Sequence, residues 1–261
     1  NLIKKKGGKF KFGEGIKGFA KIEKKINKII STRKKYVIGD NDIIISSLPI
    51  NITSQYLGKS NKLKYRGVCS VYLFYKKNEI LPKKQHWLYF DSESLLFNRI
   101  TENKKLSSFV APNNKSFLTA EITYSAGDKF SKISPDKVIE KVKRQIEMTG
   151  IISNKYLLGA TINYEPFVYP VQFSDYKSEV ARVKSFVESF DNLFSVGAGG
   201  EFNYADSQIL FHKSFDLVNS LINRHKSMTN ETKDTNTTKL NTEVVIDNKK
   251  IGVDEKTFII A

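Results

Sequence analysis

The stretch Leu193-Phe-Ser-Val-Gly-Ala-Gly-Gly-Glu-Phe-Asn-Tyr-Ala-Asp-Ser207 decides how this chain reads. Its apolar opening, Leu193 to Gly197, predicts a short strand. Glycines at 197, 199 and 200 let a ligand or another backbone approach closely. After a polar loop, Asp206 stands where a helix N-cap belongs, and residues 207–224 predict a long helix. The open N–H groups of such a helix start suit an anionic or electron-rich ligand, such as a pyrophosphate or a reduced flavin. A glycine-rich turn that merely caps an ordinary helix is the alternative.

Upstream of it, Tyr176, Val180, Val183 and Val187 recur at helical spacing, and Tyr156–Pro170 predicts extended chain. A further helix has clear limits: Ser134 as N-cap, Pro135 at the first position, Asp136 in the first turn, and Gly150 as its stop. Val68–Tyr75, Trp87–Phe90, Ser94–Ile100 and Phe117–Tyr124 are rich in aromatic and β-branched residues and predict an antiparallel sheet. Asp42 to Ile50 predicts a buried strand stopped by Pro49. Residues 16–31, with Phe19, Ile22, Ile26, Ile29 and Ile30, predict a basic amphipathic helix. Residues 227–243 are polar and aperiodic and predict a linker before structure resumes near Val244. The pattern is α/β, with an α+β block in the middle.

The 261 residues carry 43 Lys+Arg against 27 Asp+Glu, a formal charge of +16. Residues 1–35 hold 13 of the basic residues against Glu14 and Glu23, so that stretch carries +11 and the other 226 residues +5. Only 6 of the 43 basic residues are Arg. A lysine-heavy bias of this kind is poorly suited to base reading, where the Arg fork is preferred, so no nucleic-acid partner is expected. One cysteine, Cys69, excludes a disulfide framework and a multi-thiolate zinc site, and is expected to be a small buried hydrophobe. His86, His212 and His225 lack the short spacing of a metal centre. No apolar run approaches the ~20 residues of a membrane span, and no signal-peptide pattern opens the chain, so a cytoplasmic protein is expected.

The 193–207 stretch resembles the C-terminal FAD-binding segment of the amine oxidase superfamily, especially protoporphyrinogen-oxidase-like proteins and UDP-galactopyranose mutases. Three more segments follow the order of that family. Asp42-Ile-Ile-Ile-Ser-Ser-Leu-Pro-Ile50 resembles its "D-x-V-I-S-S-L-P" strand. Leu96-Phe-Asn-Arg-Ile-Thr-Glu-Asn-Lys104 is similar to the mutase-like "R-x-x-E-x-K" element, and Glu165-Pro-Phe-Val-Tyr-Pro-Val171 to the "Y-P-V" turn.

The resemblance implies an FAD-dependent oxidoreductase with a partial Rossmann-like FAD-binding domain (residues 1–58 and 176–226) and an antiparallel-sheet substrate domain (59–175). It implies cofactor contacts at Gly197, Gly199, Gly200, Tyr204 and Asp206, and substrate contacts at Arg99, Glu102 and Tyr169. Each has a plainer alternative: a tight turn for the glycines, capping for Asp206, core filling for Tyr204, a strand-edge ion pair for Arg99 and Glu102. The partner would be a small molecule, with a sugar nucleotide as one reading. The family's nucleotide-binding fingerprint belongs ahead of these segments. Gly13-Glu-Gly-Ile-Lys-Gly18 fits G-x-G-x-x-G literally, but no buried strand precedes it, and Asp40 is the nearest acid for a second strand. The chain therefore reads as the C-terminal part of a flavoenzyme. Mutases carry Arg after the glycine that ends the last strand; here that residue is Ala198, which counts against strict mutase activity.

At the other end, Val245-Ile-Asp-Asn-Lys-Lys-Ile-Gly-Val-Asp-Glu-Lys-Thr-Phe-Ile-Ile-Ala261 resembles the opening of N-acetylneuraminate (sialic acid) synthases. This implies a fusion beginning near residue 244. The alternative is a C-terminal strand that packs on the domain. A flavin-dependent mutase of surface-glycan synthesis and a non-catalytic domain fused to a sialic acid synthase are the rival functional readings.

Overall fold

The computed structural model describes residues 2–231, 243–246, 249–252 and 258–260, with side-chain surroundings up to residue 224. The first elements in chain order are α1 (Leu2–Lys5), β1 (Ile16–Ile22), β2 (Lys25–Ser31), β3 (Lys35–Val37), β4 (Ile43–Ser46) and α2 (Ile50–Tyr56). Then come β5 (Tyr65–Tyr75), β6 (Trp87–Tyr89), β7 (Arg99–Glu102), α3 (Asn103–Leu106), β8 (Ser116–Ser125), α4 (Pro135–Met148) and β9 (Leu157–Pro170). The last are α5 (Tyr176–Glu188), β10 (Leu193–Ser195), α6 (Gly197–Gly200), α7 (Ser207–Glu231), β11 (Glu243–Ile246), β12 (Lys249–Gly252) and β13 (Phe258–Ile260). They form two compact units, residues 1–63 with 172–261, and residues 64–171.

The first unit corrects one expectation. Residues 16–31 are no helix but the antiparallel hairpin β1–β2, extended by β3 into a three-stranded sheet. The turn at Glu23 and Lys24 is tight, with Glu23 in the left-handed region (φ 49°). Register shifts at Ile16/Gly18 and Ala20/Lys21 interrupt the alternation of the strands. Each shift puts apolar residues three or four apart on one face, which imitates a helical period. The density of Ile, stiff at χ1, favours the strand.

Beside this sheet, β10, β4 and β13 form a parallel sheet in that order. Asn192, buried just before β10, acts as a piece of strand: its Oδ1 accepts from the Ile26 N–H and its Nδ2 donates to the Ile26 carbonyl, both at 2.9 Å. Its own carbonyl accepts from the Ile44 N–H at 2.8 Å, so one residue ties β2 to β4 at the start of β10. The expected strand at 42–50 ends at Ser46, because Pro49 caps α2. The helix α7 runs to Glu231, into the stretch expected as a linker; residues 232–242 of that stretch lie outside the described residues. At the C-terminus, β11 and β12 pair as a hairpin and β13 lies along β4, Phe258 opposite Ile43. Residues 247–248, 253–257 and 261 of the stretch that resembles a sialic acid synthase lie outside the described residues.

Glu179 on α5 accepts from the Lys62 N–H at 2.7 Å and from the Arg182 guanidinium at 2.8 Å. Arg182 and that N–H hold its carboxyl down from its ordinary value near 4.5 to about 2. A depressed folded value stabilises the fold fully above the ordinary value, and that contribution is lost as pH falls toward about 2. Glu179→Gln should therefore lower stability at neutral pH. It should also flatten the acid limb between about 4.5 and about 2, as read by urea titrations at stepped pH. Parallel limbs for the two proteins would contradict this.

The second unit is an antiparallel five-stranded sheet in the order β6-β7-β8-β5-β9. Along β5 the odd-numbered residues Cys69, Val71, Leu73 and Tyr75 face a core with Ile100, Leu118 and Ala120, against Val138, Val142 and Ile146 of α4. Each fully buried aliphatic side chain there contributes about 1.5–3 kcal/mol. α4 starts at Pro135 with Ser134 as its N-cap residue and Asp136 in its first turn; Gly150 follows its end in the left-handed region, φ 72°. Cys69 is fully buried in this core, and burial pushes its thiol up to about 11. The expected strand at 94–100 begins only at Arg99.

Candidate functional site

The glycine segment follows the carboxyl ends of two adjacent parallel strands. β10 and β4 pair Leu193 with Ile44, Phe194 with Ile45 and Ser195 with Ser46, and the Val196 N–H donates to the Ser46 carbonyl at 2.9 Å. The chain then turns through Gly197, whose φ of 82° a side chain would strain, into the single turn α6. Gly199 and Gly200 lie against backbone. A Cβ on Gly199 would stand 3.4 Å from the Pro49 Cα, and one on Gly200 3.4 Å from the Ser46 carbonyl oxygen.

Two hydroxyls, Ser46 Oγ and Ser195 Oγ, are buried side by side in register without a hydrogen-bond partner among the described residues. Buried polar groups are normally satisfied, and in open α/β sheets ligands bind outside the carboxyl ends of parallel strands. Both hydroxyls are covered by the protein's own atoms, and the open part of the turn is Gly197, where a Cβ would meet nothing within 4 Å. Neither serine stood out in the sequence, although each ends one of the two apolar runs that drew attention.

Phe202 is buried with a left-handed backbone (φ 52°), and the Asn203 N–H closes the turn on the Ala198 carbonyl at 2.9 Å. Tyr204 and Asp206 are exposed. Asp206 caps α7 through its backbone, its carbonyl accepting from the Ile209 and Leu210 N–H groups at 3.0 and 3.2 Å. Glu201 pairs with Lys213, fixing the turn to α7. The five residues expected to contact a cofactor thus lie along one turn and helix start.

In the other unit, Arg99 and Glu102 lie on opposite faces of β7, since a strand alternates its side chains. Arg99 faces away from α4, on the rung Tyr89–Arg99–Glu121–Ser70–Asn163 that crosses all five strands. Its Nη2 donates to Glu121 at 2.5 Å and its Nη1 to the Tyr89 hydroxyl at 3.1 Å; its Nε is buried without a partner. Tyr169 stands opposite Arg66 on that same polar face, beyond an irregularity in β9. Arg99 and Tyr169 thus share a face but stand three strands and four rungs apart; the structure brings Glu121 and Tyr89 to Arg99, which sequence reasoning missed because their proximity depends on sheet register.

Glu102 belongs elsewhere. It is fully buried; its carboxylate accepts from the Ile80 N–H at 3.0 Å, the Leu81 N–H at 2.8 Å and the Ser116 hydroxyl at 2.6 Å. Its acceptor positions are committed to a loop of its own unit. The ion pair Arg99–Glu102 considered from the sequence does not form; Arg99 pairs with Glu121.

The fold is mixed α/β, with antiparallel sheets and a parallel sheet of three strands. The chain resembles the crystal structure of reduced UDP-galactopyranose mutase over 68% of its length and 39% of that chain, with a TM-score of 0.56 and 17% identity. It resembles a protoporphyrinogen oxidase structure from Exiguobacterium sp. 255-15 over 71% of its length and 42% of that chain, with a TM-score of 0.56 and 11% identity. A CLA-producing fatty acid isomerase from P. acnes matches over 79% of this chain and 47% of its own, with a TM-score of 0.50 and 15% identity. The chain thus spans less than half the length of these structures. No known protein family and no curated protein matches the sequence. Among the described residues, no helix is long and apolar enough to cross a membrane.

Proposed function

We propose that this chain is part of an FAD-dependent oxidoreductase of the protoporphyrinogen-oxidase-like group. Residues 1–58 and 176–226 would contribute to the FAD-binding domain, and 59–175 would form the substrate domain. One observation carries the reading: a glycine turn at the carboxyl ends of the adjacent parallel strands β4 and β10, leading to the start of the long helix α7. Bound there, the flavin would supply the redox chemistry. The chain's own part is binding and orientation. Gly197 leaves room for close approach, Gly199 and Gly200 let the turn pack on the backbone of Ser46 and Pro49, and Asp206 starts a helix whose positive end favours negative charge. Tyr204, exposed at the helix start, offers an aromatic surface. Arg99, held by Glu121 and Tyr89, and Tyr169 present polar groups to a small-molecule substrate.

Protein made from the intact reading frame should bind FAD, read as flavin absorbance that survives gel filtration. Gly197→Val strains a left-handed residue and should weaken FAD binding roughly tenfold or more. A protein that takes up no FAD would overturn the reading. A flavin-dependent sugar-nucleotide mutase is the second reading, supported by the sequence resemblance at Leu96–Lys104 and opposed by Ala198. Turnover of UDP-galactopyranose only after flavin reduction would select it. A cytoplasmic setting and a sialic acid synthase-like continuation past residue 244 belong to the proposal on sequence grounds alone.

A further inference from the structure

The five-stranded sheet has two unlike ends. At one end β5 and β7 stop and β6, β8 and β9 begin, and α4 also stops there. The connections at this end, residues 76–86, 103–115 and 149–156, hold eight lysines and a single acid, Glu79. Glu79 is already paired with Lys105 at 3.3 Å. The connections at the opposite end, residues 90–98 and 126–134, hold three acids and two lysines. The basic end also exposes apolar side chains. Phe109 is 97% exposed, its loop neighbours Leu106 and Val110 are exposed with it, and Met148, Leu158 and Trp87 are exposed on elements that start or stop at this end.

Three further features mark this end as a built surface. Lys104 Nζ is held by the carbonyls of Pro112, Asn113 and Lys115 and by Asn78 Oδ1, at 2.7–3.1 Å, which fixes the loop that carries Phe109. The Glu102 carboxylate fixes Ile80 and Leu81. Between residues 79–83 and 149–151 lies a cleft of about 540 Å³ lined by Ile80, Leu81, Pro82, Leu88 and Ile151, with Lys83 among its lining residues.

We propose that this end of the sheet docks on an anionic lipid surface, its lysines meeting headgroup phosphates while Phe109, Leu106 and the mouth of the apolar cleft meet the acyl boundary. Lysines around protruding apolar side chains match that interface in both charge and polarity. Lysine, rather than Arg forks, favours lipid over nucleic acid.

The test is co-sedimentation of the full chain with vesicles of phosphatidylcholine alone or with about one third phosphatidylglycerol, a fraction chosen to give a clearly anionic surface. Binding is expected only to the anionic vesicles. It should weaken as salt shortens the ~10 Å screening length of 0.1 M solution. The exposed double variant Leu106→Ser/Phe109→Ser should lose roughly tenfold in binding, and Lys83→Glu/Lys84→Glu a similar amount. A control, Lys5→Glu/Lys6→Glu in the lysine-rich N-terminal stretch, should change binding less than either. Each variant's urea midpoint would be checked for folding. Failure to bind anionic vesicles, or equal binding by wild type and both test variants, would overturn the proposal. Binding to a short DNA duplex that needs Lys83 and Lys84 but not Phe109 would overturn it in favour of nucleic acid.

Discussion

Replacing Glu102 with Ala should destabilise the inserted sheet by roughly 3–5 kcal/mol, the scale for exposing a buried charged network to the loss of one member. The carboxylate is fully buried and accepts from two backbone N–H groups and one hydroxyl. Removing it orphans the Ile80 and Leu81 N–H groups and the Ser116 hydroxyl together. Glu102→Gln keeps one oxygen but brings an NH₂ toward existing donors, so a loss of about 1–3 kcal/mol is expected. Urea denaturation at constant slope would measure both, and an Ala variant within about 1 kcal/mol of wild type would sink the clamp assignment.

Gly67→Ala should cost roughly 3–5 kcal/mol or prevent folding, as overpacking against backbone does. A Cβ at Gly67 would lie 2.6 Å from two ring carbons of Tyr124 and 2.8 Å from the Glu165 carbonyl oxygen. Tyr124 is wedged between Phe130 and Tyr164, with ring centroids 5.7 and 6.0 Å away. Glu165 precedes the register irregularity of β9, whose backbone comes close to β5 there. A second substitution, Tyr124→Leu, should recover only part of the loss, because the carbonyl remains. Full recovery would show that the ring alone was the obstacle, and a Gly67→Ala protein as stable as wild type would contradict the packing itself.

Much of the fold was legible where local signals agreed. The helix α4 combines Ser134, Pro135, Asp136 and an apolar stripe, and it stands where these put it. The pair β4 and β10 was legible as two apolar runs ending in Ser-Ser-Leu-Pro and in glycine. The hairpin at 16–31 was misread because bulges shift its isoleucines to helical spacing, and a single sequence does not show a bulge. The candidate site stands out in the sequence where it is contiguous, along residues 197–206. It was illegible where it depends on register: Arg99 and Glu102 share a short motif yet serve opposite faces, and Glu121 and Tyr89 reach Arg99 only across strands. The lysines of the sheet end were hidden differently. They come from three separate connections, each too short to outweigh the basic residues of 1–35.

The sheet of residues 64–171 enters the chain through β5 and leaves it through β9. These strands pair along their length, Tyr65 opposite Pro170, and the Val171 N–H donates to the Lys64 carbonyl at 2.9 Å. The chain therefore enters and leaves this unit through two strands that are hydrogen-bonded to each other. Closing its ends costs little chain entropy beyond what its own sheet has already fixed. A gene could gain, lose or exchange such a module at that pair of strands without rethreading the glycine turn.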